Sequence, residues 1–265
     1  MSPQTPGNYV SYELRDGAAR ITLVNGDQGN PVHPAMVAEL QAAVQKARAD
    51  AAPVVVLSST GRFFSVGGDL AGFAEAESVG DHIDGLAAAL HRCVADLVRS
   101  DAVVVSLVQG TAAGAGFPLA MAADLVLAAE SAKLTLGYTK VGLSVDGGSS
   151  LLVHTIGLHR TLRLALLNEV LTAEQAHDLG LVAQVHPDPD LAEAGEKLVQ
   201  RLVAGPAYAQ TTVKHLVREA ADTAPERALQ AETTGIRNNA VSPDGREGVA
   251  AFLEKRAASF GIGTA

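Results

Sequence analysis

Apolar strand-like segments alternate with helical segments through the first 146 residues, and this alternation limits the possible folds more than any other feature. The pattern predicts strands at 53–59, 103–108 and 124–129. Helical spacing of apolar residues runs from Pro34 to about Ala49 and again around 81–99. Strands that alternate with helices build layered α/β domains. The sequence therefore predicts an α/β fold for this part of the chain.

Turn and cap signals extend this prediction to the rest of the chain. Asp16 and Gly17, between two strand-like runs, are typical of a β-hairpin. Beyond residue 146 helical patterns dominate, and Thr172 and Ser242 are expected to cap helix N-termini. The sequence shows no repeat and no linker, so these helices are expected to pack on the domain or on another subunit.

Charge and composition exclude several classes of protein. The chain of 265 residues has a formal net charge of −9, and this acidity argues against nucleic acid or an anionic membrane as the main partner. No apolar run approaches the roughly 18 to 20 residues that cross a bilayer, and no export signal is evident, so a cytoplasmic protein is expected. The single cysteine, Cys93, excludes an internal disulfide and is expected in the core.

Two glycine-rich segments, SVGGDL (65–70) and GTAAGAG (110–116), directly follow predicted strands. Such strand exits leave backbone N–H groups free at one edge of a sheet, and the second segment also begins a helix. A phosphate would normally call for a cation as well, whereas two neutral donors suit a carbonyl oxygen that becomes negative only during a reaction. The segments predict an oxyanion hole for an enolate. The alternative is a pair of tight turns whose glycines relieve backbone strain.

Five segments together resemble successive signatures of the crotonase superfamily, also called the enoyl-CoA hydratase/isomerase family. They are FSVGGDL, GTAAGAGFPLAMAADLVLA, KVGLSVDGGSS, LTAEQAHDLGLVAQV and REGVAAFLEKR. The resemblance implies an α/β fold with a crotonase-like spiral of ββα units and a C-terminal helical trimerisation region. Residues 1–200 would form the core that binds acyl-CoA, and residues 201–265 the oligomerisation region of a homotrimer or a dimer of trimers.

The resemblance also implies where an acyl-CoA thioester binds. By position, the N–H groups of Gly68 and Ala115 would hold the thioester carbonyl as the oxyanion hole. Further substrate contacts would come from Val66, Gly67 and Gly114. Lys255, in the last helix, would approach the CoA phosphates of a neighbouring subunit, although the helix dipole equally explains a cation there.

Two positions depart from the family's hydratases, which use two glutamates to activate water and to deliver a proton. By the same matching, Pro118 stands at the first glutamate and Tyr138 at the second, and both are expected to border the substrate. Neither residue is a carboxylic acid. The usual acid–base pair for hydration is therefore missing.

Asp146 is the acid that the resemblance offers instead. The family's ring-modifying isomerases and its 4-chlorobenzoyl-CoA dehalogenase carry an aspartate at this position, and His91 corresponds to the dehalogenase's histidine base. We therefore predict Asp146 and His91 as catalytic residues. The alternatives are that Asp146 caps a helix beginning at Gly147 and that His91 is simply packed or solvated.

These residues favour an enoyl-CoA isomerase in which Asp146 moves a proton between two carbons. Three alternatives remain open: a hydratase with non-standard residues, a dehalogenase- or hydrolase-like enzyme with Asp146 as nucleophile, and an acyl-CoA-binding homologue without turnover. No metal and no redox cofactor is expected, since CoA arrives as part of the substrate.

Overall fold

The computed structural model describes residues 8–221 and 225–260. The strands are β1 (Val10–Arg15), β2 (Ala18–Leu23), β3 (Val54–Ser59), β4 (Phe63–Ser65), β5 (Val103–Val108), β6 (Thr111–Ala113), β7 (Leu125–Ala129), β8 (Lys133–Thr135), β9 (Leu171–Thr172) and β10 (Gln184–His186). The helices are α1 (Pro34–Ala49), α2 (Leu70–Glu75), α3 (Val79–Arg99), α4 (Gly116–Met121), α5 (Val153–Ile156), α6 (Leu158–Leu167), α7 (Ala173–Asp178), α8 (Leu191–Val203), α9 (Ala207–Ala221), α10 (Pro225–Val241) and α11 (Pro243–Leu253).

The strands form two sheets. The larger has the order β1-β2-β3-β5-β7-β10 and the smaller has the order β4-β6-β8-β9. Strands β2, β3, β5, β7 and β10 are parallel, whereas β1 joins β2 as an antiparallel hairpin. The hairpin predicted at Asp16 and Gly17 is thus confirmed.

The chain winds through the two sheets as a spiral. It passes from β3 to β4 and then to α3, from β5 to β6 and then to α4, and from β7 to β8, so that each turn places one strand in each sheet. This is the predicted spiral of ββα units. Each turn ends at the same edge, which is where the two glycine-rich segments lie.

The central strands contain runs of consecutive apolar residues because both of their faces are buried. In β3, Val55 and Leu57 contribute to the main core with α1 and α3, while Val54 and Val56 point to the other face. There they pack with residues of α8 such as Val199. A parallel strand covered on both faces has no polar side, which explains the continuous apolar run in the sequence.

Local cap signals operate as predicted. Thr172 accepts the N–H of Gln175, whose side chain in turn accepts the N–H of Thr172, so the two residues form a capping box at the start of α7. Ser242 accepts the N–H of Gly245 at the start of α11. Cys93 is fully buried in the main core, as expected.

The C-terminal helices pack on the core. Helix α10 lies along α3, and its residues Ile236 and Ala240 belong to the same apolar core as the strands. Large apolar side chains remain exposed on α6 and α9, among them Leu162, Leu166 and Leu216. Across the described ranges, every helix is too short or too polar to span a bilayer.

Candidate active site

A cavity of about 370 Å³ opens between the two glycine-rich segments, α3 and the end of α11. Most of its lining is apolar, including Phe73, Leu86 and Leu90. Six of the predicted site residues also line it, namely Val66, Gly68, Gly114, Ala115, Tyr138 and Asp146. The structure therefore brings together residues that are up to 80 positions apart in the sequence.

The two glycine-rich segments touch through Gly67 and Gly114. Gly67 has φ +89°, and a Cβ atom on it would lie 2.8 Å from the carbonyl oxygen of Ala113 and 3.1 Å from the nitrogen of Ala115. Only glycine allows the backbones to approach this closely. Among residues 8–221 and 225–260, the N–H groups of Gly68 and Ala115 donate to no protein acceptor. Both are thus available to an oxygen atom in the cavity.

Asp146 is carried by a loop that packs on the start of α4. Gly147 has φ +70°, and a Cβ atom on it would lie 3.3 Å from Cα of Ala115. The main-chain carbonyl of Asp146 accepts the hydroxyls of Tyr138 at 3.0 Å and Ser149 at 2.6 Å. The backbone of Asp146 is therefore fixed beside the free N–H of Ala115.

The carboxylate of Asp146 is buried yet almost free of hydrogen bonds. Nε2 of His91 lies 2.9 Å from its Oδ1 atom, and in the described part of the chain no other donor reaches that atom. The alternative that Asp146 caps a helix beginning at Gly147 is not what the structure shows. A 3₁₀ turn begins only at Ser149, and no backbone N–H of the described residues donates to the Asp146 side chain.

His91 lies on the buried face of α3, directly behind Asp146. Its Nδ1 atom lies 3.0 Å from the hydroxyl oxygen of Thr233, and that hydroxyl donates to the carbonyl of Leu229. The hydroxyl oxygen can therefore accept the Nδ1 proton. Nε2 is left to accept the N–H of Gly147 at 3.1 Å when neutral, or to face Asp146 when protonated.

Charge decides between these two states of His91. Burial lowers the pKa of the imidazole, but hydrogen bonds and charges from Asp146 and Glu232 outweigh burial and raise the pKa to about 9. His91 is therefore an imidazolium at neutral pH. It supplies a positive charge beside Asp146 without itself lining the cavity.

Glu232 completes the cluster, and the sequence did not predict it. Its Oε2 accepts the N–H of Gly148 at 2.7 Å, its Oε1 accepts the N–H of Ser150 at 2.6 Å, and Oε2 lies 3.6 Å from Nε2 of His91. One signal was present in the sequence. Glu232 and Thr233 interrupt the buried stripe of α10, which otherwise contains Leu229, Ile236 and Ala240.

His91, Asp146 and Glu232 also form a geometric candidate for a metal site, since one donor atom from each lies within 4.8 Å of the others. Contacts within the protein account for this arrangement, because both Glu232 oxygens accept backbone N–H groups and Nε2 of His91 faces Asp146. The expectation of no metal and no separate cofactor stays a prediction.

Three predicted substrate contacts, Gly67, Pro118 and Lys255, do not line this cavity. Pro118 packs against Gly147 and lines a second, larger groove of about 910 Å³ between α3, α4 and α9, away from the cavity that holds Asp146. Its ring leaves no carboxylate at that position, and it turns toward the back of the Asp146 loop. Lys255 is exposed two residues after Leu253, which lines the mouth of the smaller cavity.

Comparison with known proteins agrees with this fold. Residues 13–262 match the family model described as enoyl-CoA hydratase/isomerase. A probable enoyl-CoA hydratase from Rhodobacter capsulatus is 36% identical over 95% of this chain and 97% of its own length. The 1,2-epoxyphenylacetyl-CoA isomerase of Escherichia coli is 34% identical over 95% of this chain and 98% of its own length.

Comparison with a solved structure supports the same family. The chain superimposes on an enoyl-CoA hydratase from Mycobacterium avium subsp. paratuberculosis with a TM-score of 0.88 and 33% identity, covering 97% of this chain and all of that one. The chain therefore belongs to the enoyl-CoA hydratase/isomerase family, the crotonase superfamily. Its relatives include both hydratases and isomerases, so family membership implies an acyl-CoA substrate but leaves the reaction open.

Proposed function

We propose that the protein is an enoyl-CoA isomerase that moves a double bond within the acyl chain, with Asp146 as the base. The observation that carries this proposal is the state of the Asp146 carboxylate. It borders the cavity beside two free backbone N–H groups, and among the described residues no backbone N–H donates to it, while His91 lies 2.9 Å from its Oδ1 atom. A carboxylate in this state can exchange a proton with a bound molecule.

The reaction follows from these groups. The N–H groups of Gly68 and Ala115 bind the thioester oxygen, which makes the protons on the carbon next to the carbonyl more acidic. Asp146 takes one of these protons from a 3-enoyl thioester, and the negative charge of the resulting dienolate rests on the oxygen between the two donors. Asp146 then returns the proton to the far end of the dienolate. The product is a 2-enoyl thioester, and no atom is gained or lost.

His91 supports the proposal by its charge. Its imidazolium lies 2.9 Å from Oδ1 of Asp146 and so places a positive charge directly beside the carboxylate. The nucleophilic alternative needs His91 to activate a water molecule next to the acyl group. His91 lies behind Asp146 and outside the cavity lining, which disfavours that alternative.

A direct assay tests the proposal. In deuterated water, we expect the protein to convert a 3-enoyl thioester into the conjugated 2-enoyl isomer, which is seen as a gain in ultraviolet absorbance without the mass of an added water. Hydration of a 2-enoyl thioester would instead remove that absorbance and add one water. Hydration without isomerisation would contradict the proposal. Binding without any product would favour a non-catalytic homologue.

We also propose that the chain assembles as a homotrimer or a dimer of trimers. The exposed apolar side chains of α6 and α9, including Leu158, Leu166, Tyr208 and Val217, support this proposal because large apolar groups on helix surfaces are typical of interfaces. Sedimentation at micromolar concentration tests it, and a stable monomer would contradict it. The cytoplasmic location stays a prediction.

A further inference from the structure

A carboxylate from the C-terminal helices accepts the hydrogen bonds of the backbone just after Asp146. The 3₁₀ turn that begins at Ser149 has Gly148 at its N-cap position, and glycine has no side chain to accept the first N–H groups of the turn. In this protein Glu232 accepts the N–H groups of Gly148 and Ser150, at 2.7 and 2.6 Å. Glu232 is 84 and 82 residues away from these partners in the sequence, so tertiary packing supplies the cap.

The same helix also holds His91. Thr233 lies 3.0 Å from Nδ1 of His91 through a hydroxyl that donates to Leu229, while Glu232 lies 3.6 Å from Nε2 at the other end of the ring. Adjacent residues of α10 thus face both nitrogens of the imidazole. The ring cannot turn away from Asp146 without losing one of these contacts.

We infer that Glu232 is a positioning residue for the proposed reaction. By accepting the N–H groups of Gly148 and Ser150 and by facing His91, it holds the loop that carries Asp146 and the imidazole that faces the Asp146 carboxylate. Glu232 does not line the cavity and therefore acts through Asp146 and His91, not on the substrate. The inference rests on the proposed role of Asp146.

This arrangement has an electrostatic consequence. The charged and titratable groups around His91 are Asp146 from the loop, Glu232 from α10 and, beside Asp146, the phenol of Tyr138. Asp146 and Glu232 both raise the pKa of His91 and outweigh its burial. Removal of the Glu232 charge is therefore expected to lower the pKa of His91, which a purely structural residue would not do.

The test compares Glu232→Gln with Glu226→Gln, a matched change on the same helix. Glu226 is exposed and pairs with Arg99 at the end of α3, outside the cluster of His91, Asp146 and Glu232. In Glu232→Gln we expect the NMR titration midpoint of the His91 ring to fall by about one unit or more. We also expect kcat to fall about tenfold or more with KM little changed, and the pH profile of kcat to move with His91. Glu226→Gln should match the wild type in all three measurements.

A wild-type His91 midpoint or a wild-type kcat in folded Glu232→Gln would overturn the inference. If Glu232→Gln does not fold, Glu232→Asp decides, because it keeps the charge but its shorter side chain cannot reach both Gly148 and Ser150. A lower kcat with KM little changed is then expected, and a wild-type kcat would overturn the inference. A wild-type protein without isomerase activity would refute the proposed function alone, since the His91 midpoint is measured without any substrate.

Discussion

The hydroxyl of Tyr138 donates a hydrogen bond of 3.0 Å to the main-chain carbonyl of Asp146. Tyr138 stands where the resemblance places the second glutamate of a hydratase. In this protein the residue at that position holds the loop of another acid. Relative to the hydratase pattern, the presence of Tyr138 instead of this glutamate thus accompanies a shift of the candidate base to Asp146.

We predict that Tyr138→Phe retains the fold but has a lower kcat. The hydroxyl of Ser149 still donates to the Asp146 carbonyl, so the cost in unfolding free energy should be about 0.5 to 1.5 kcal/mol. The freed loop should lower kcat about three- to tenfold, because small displacements of a catalytic group are costly. Urea unfolding and steady-state kinetics measure the two effects. Unchanged kcat would show that this hydrogen bond does not position Asp146.

The oxyanion hole is tested by a pair of substitutions at Gly68. Gly68→Ala keeps the N–H, and its new Cβ atom would lie 3.1 Å from the ring of Phe73, so we expect a modest loss of activity. Gly68→Pro removes the N–H donor and should lower kcat by about 10² to 10³. Circular dichroism checks that both variants fold.

A second position controls for the change in backbone. Ala115→Gly keeps the second N–H and should largely preserve activity. If folded Gly68→Pro and Ala115→Gly were equally active, the N–H of Gly68 would have no part in the reaction.

The raised pKa of His91 predicts how stability depends on pH. A histidine side chain ordinarily has a pKa of 6.5, whereas the pKa of His91 is about 9 in the folded protein. The folded protein therefore holds this proton more tightly than the unfolded chain. The resulting stabilisation is complete below about pH 6.5, declines as the pH rises, and is lost above about pH 9; it amounts to at most about 3 kcal/mol.

Urea unfolding at about pH 6, 7.5 and 9 measures this decline. His91→Gln has no such titrating group, so its unfolding free energy should change less between these pH values than that of the wild type. Equal pH dependence in the two proteins would show that His91 does not carry the effect.

The lining of the cavity predicts the kind of acyl group. Within the described residues its charged groups are Asp69 and Asp146, both acidic, and the rest is mainly apolar. A 3-enoyl chain that ends in a methyl group should therefore react with a kcat/KM at least about tenfold above that of a chain of equal length ending in a carboxylate.

Asp69→Asn is the matched control for this comparison. It removes one of the two acidic groups of the lining and should reduce the difference in kcat/KM between the two thioesters. Equal kcat/KM values for both thioesters in the wild type would contradict the prediction.

Much of the fold could be predicted from the sequence because local patterns determine it. β3 is apolar at every buried position, and Thr172 and Ser242 cap helices by contacts only three residues away. The glycine-rich segments indicated an oxyanion hole because both follow strands of one spiral and end at the same edge. These signals need no knowledge of distant packing.

The tertiary contacts that hold the site residues in place could not be predicted from local patterns. Glu232 meets Gly148 only because α10 packs along α3, and nothing near Gly148 in the sequence indicates that contact. The orientation of Pro118 likewise depends on how α4 meets the Asp146 loop. The polar residues Glu232 and Thr233 within the apolar stripe of α10 were the available signal. That signal does not indicate which residues they contact.

The central claim is that Asp146 is the base, and Asp146→Asn tests it most directly. The amide keeps the size of the side chain but cannot accept the proton, and among the described residues no backbone N–H donates to the carboxylate that it replaces. Conversion of a 3-enoyl thioester is therefore measured in wild type and Asp146→Asn at equal Tm. We predict that kcat falls by about 10² to 10⁴ in the variant. Isomerisation at the wild-type rate in folded Asp146→Asn would contradict the account.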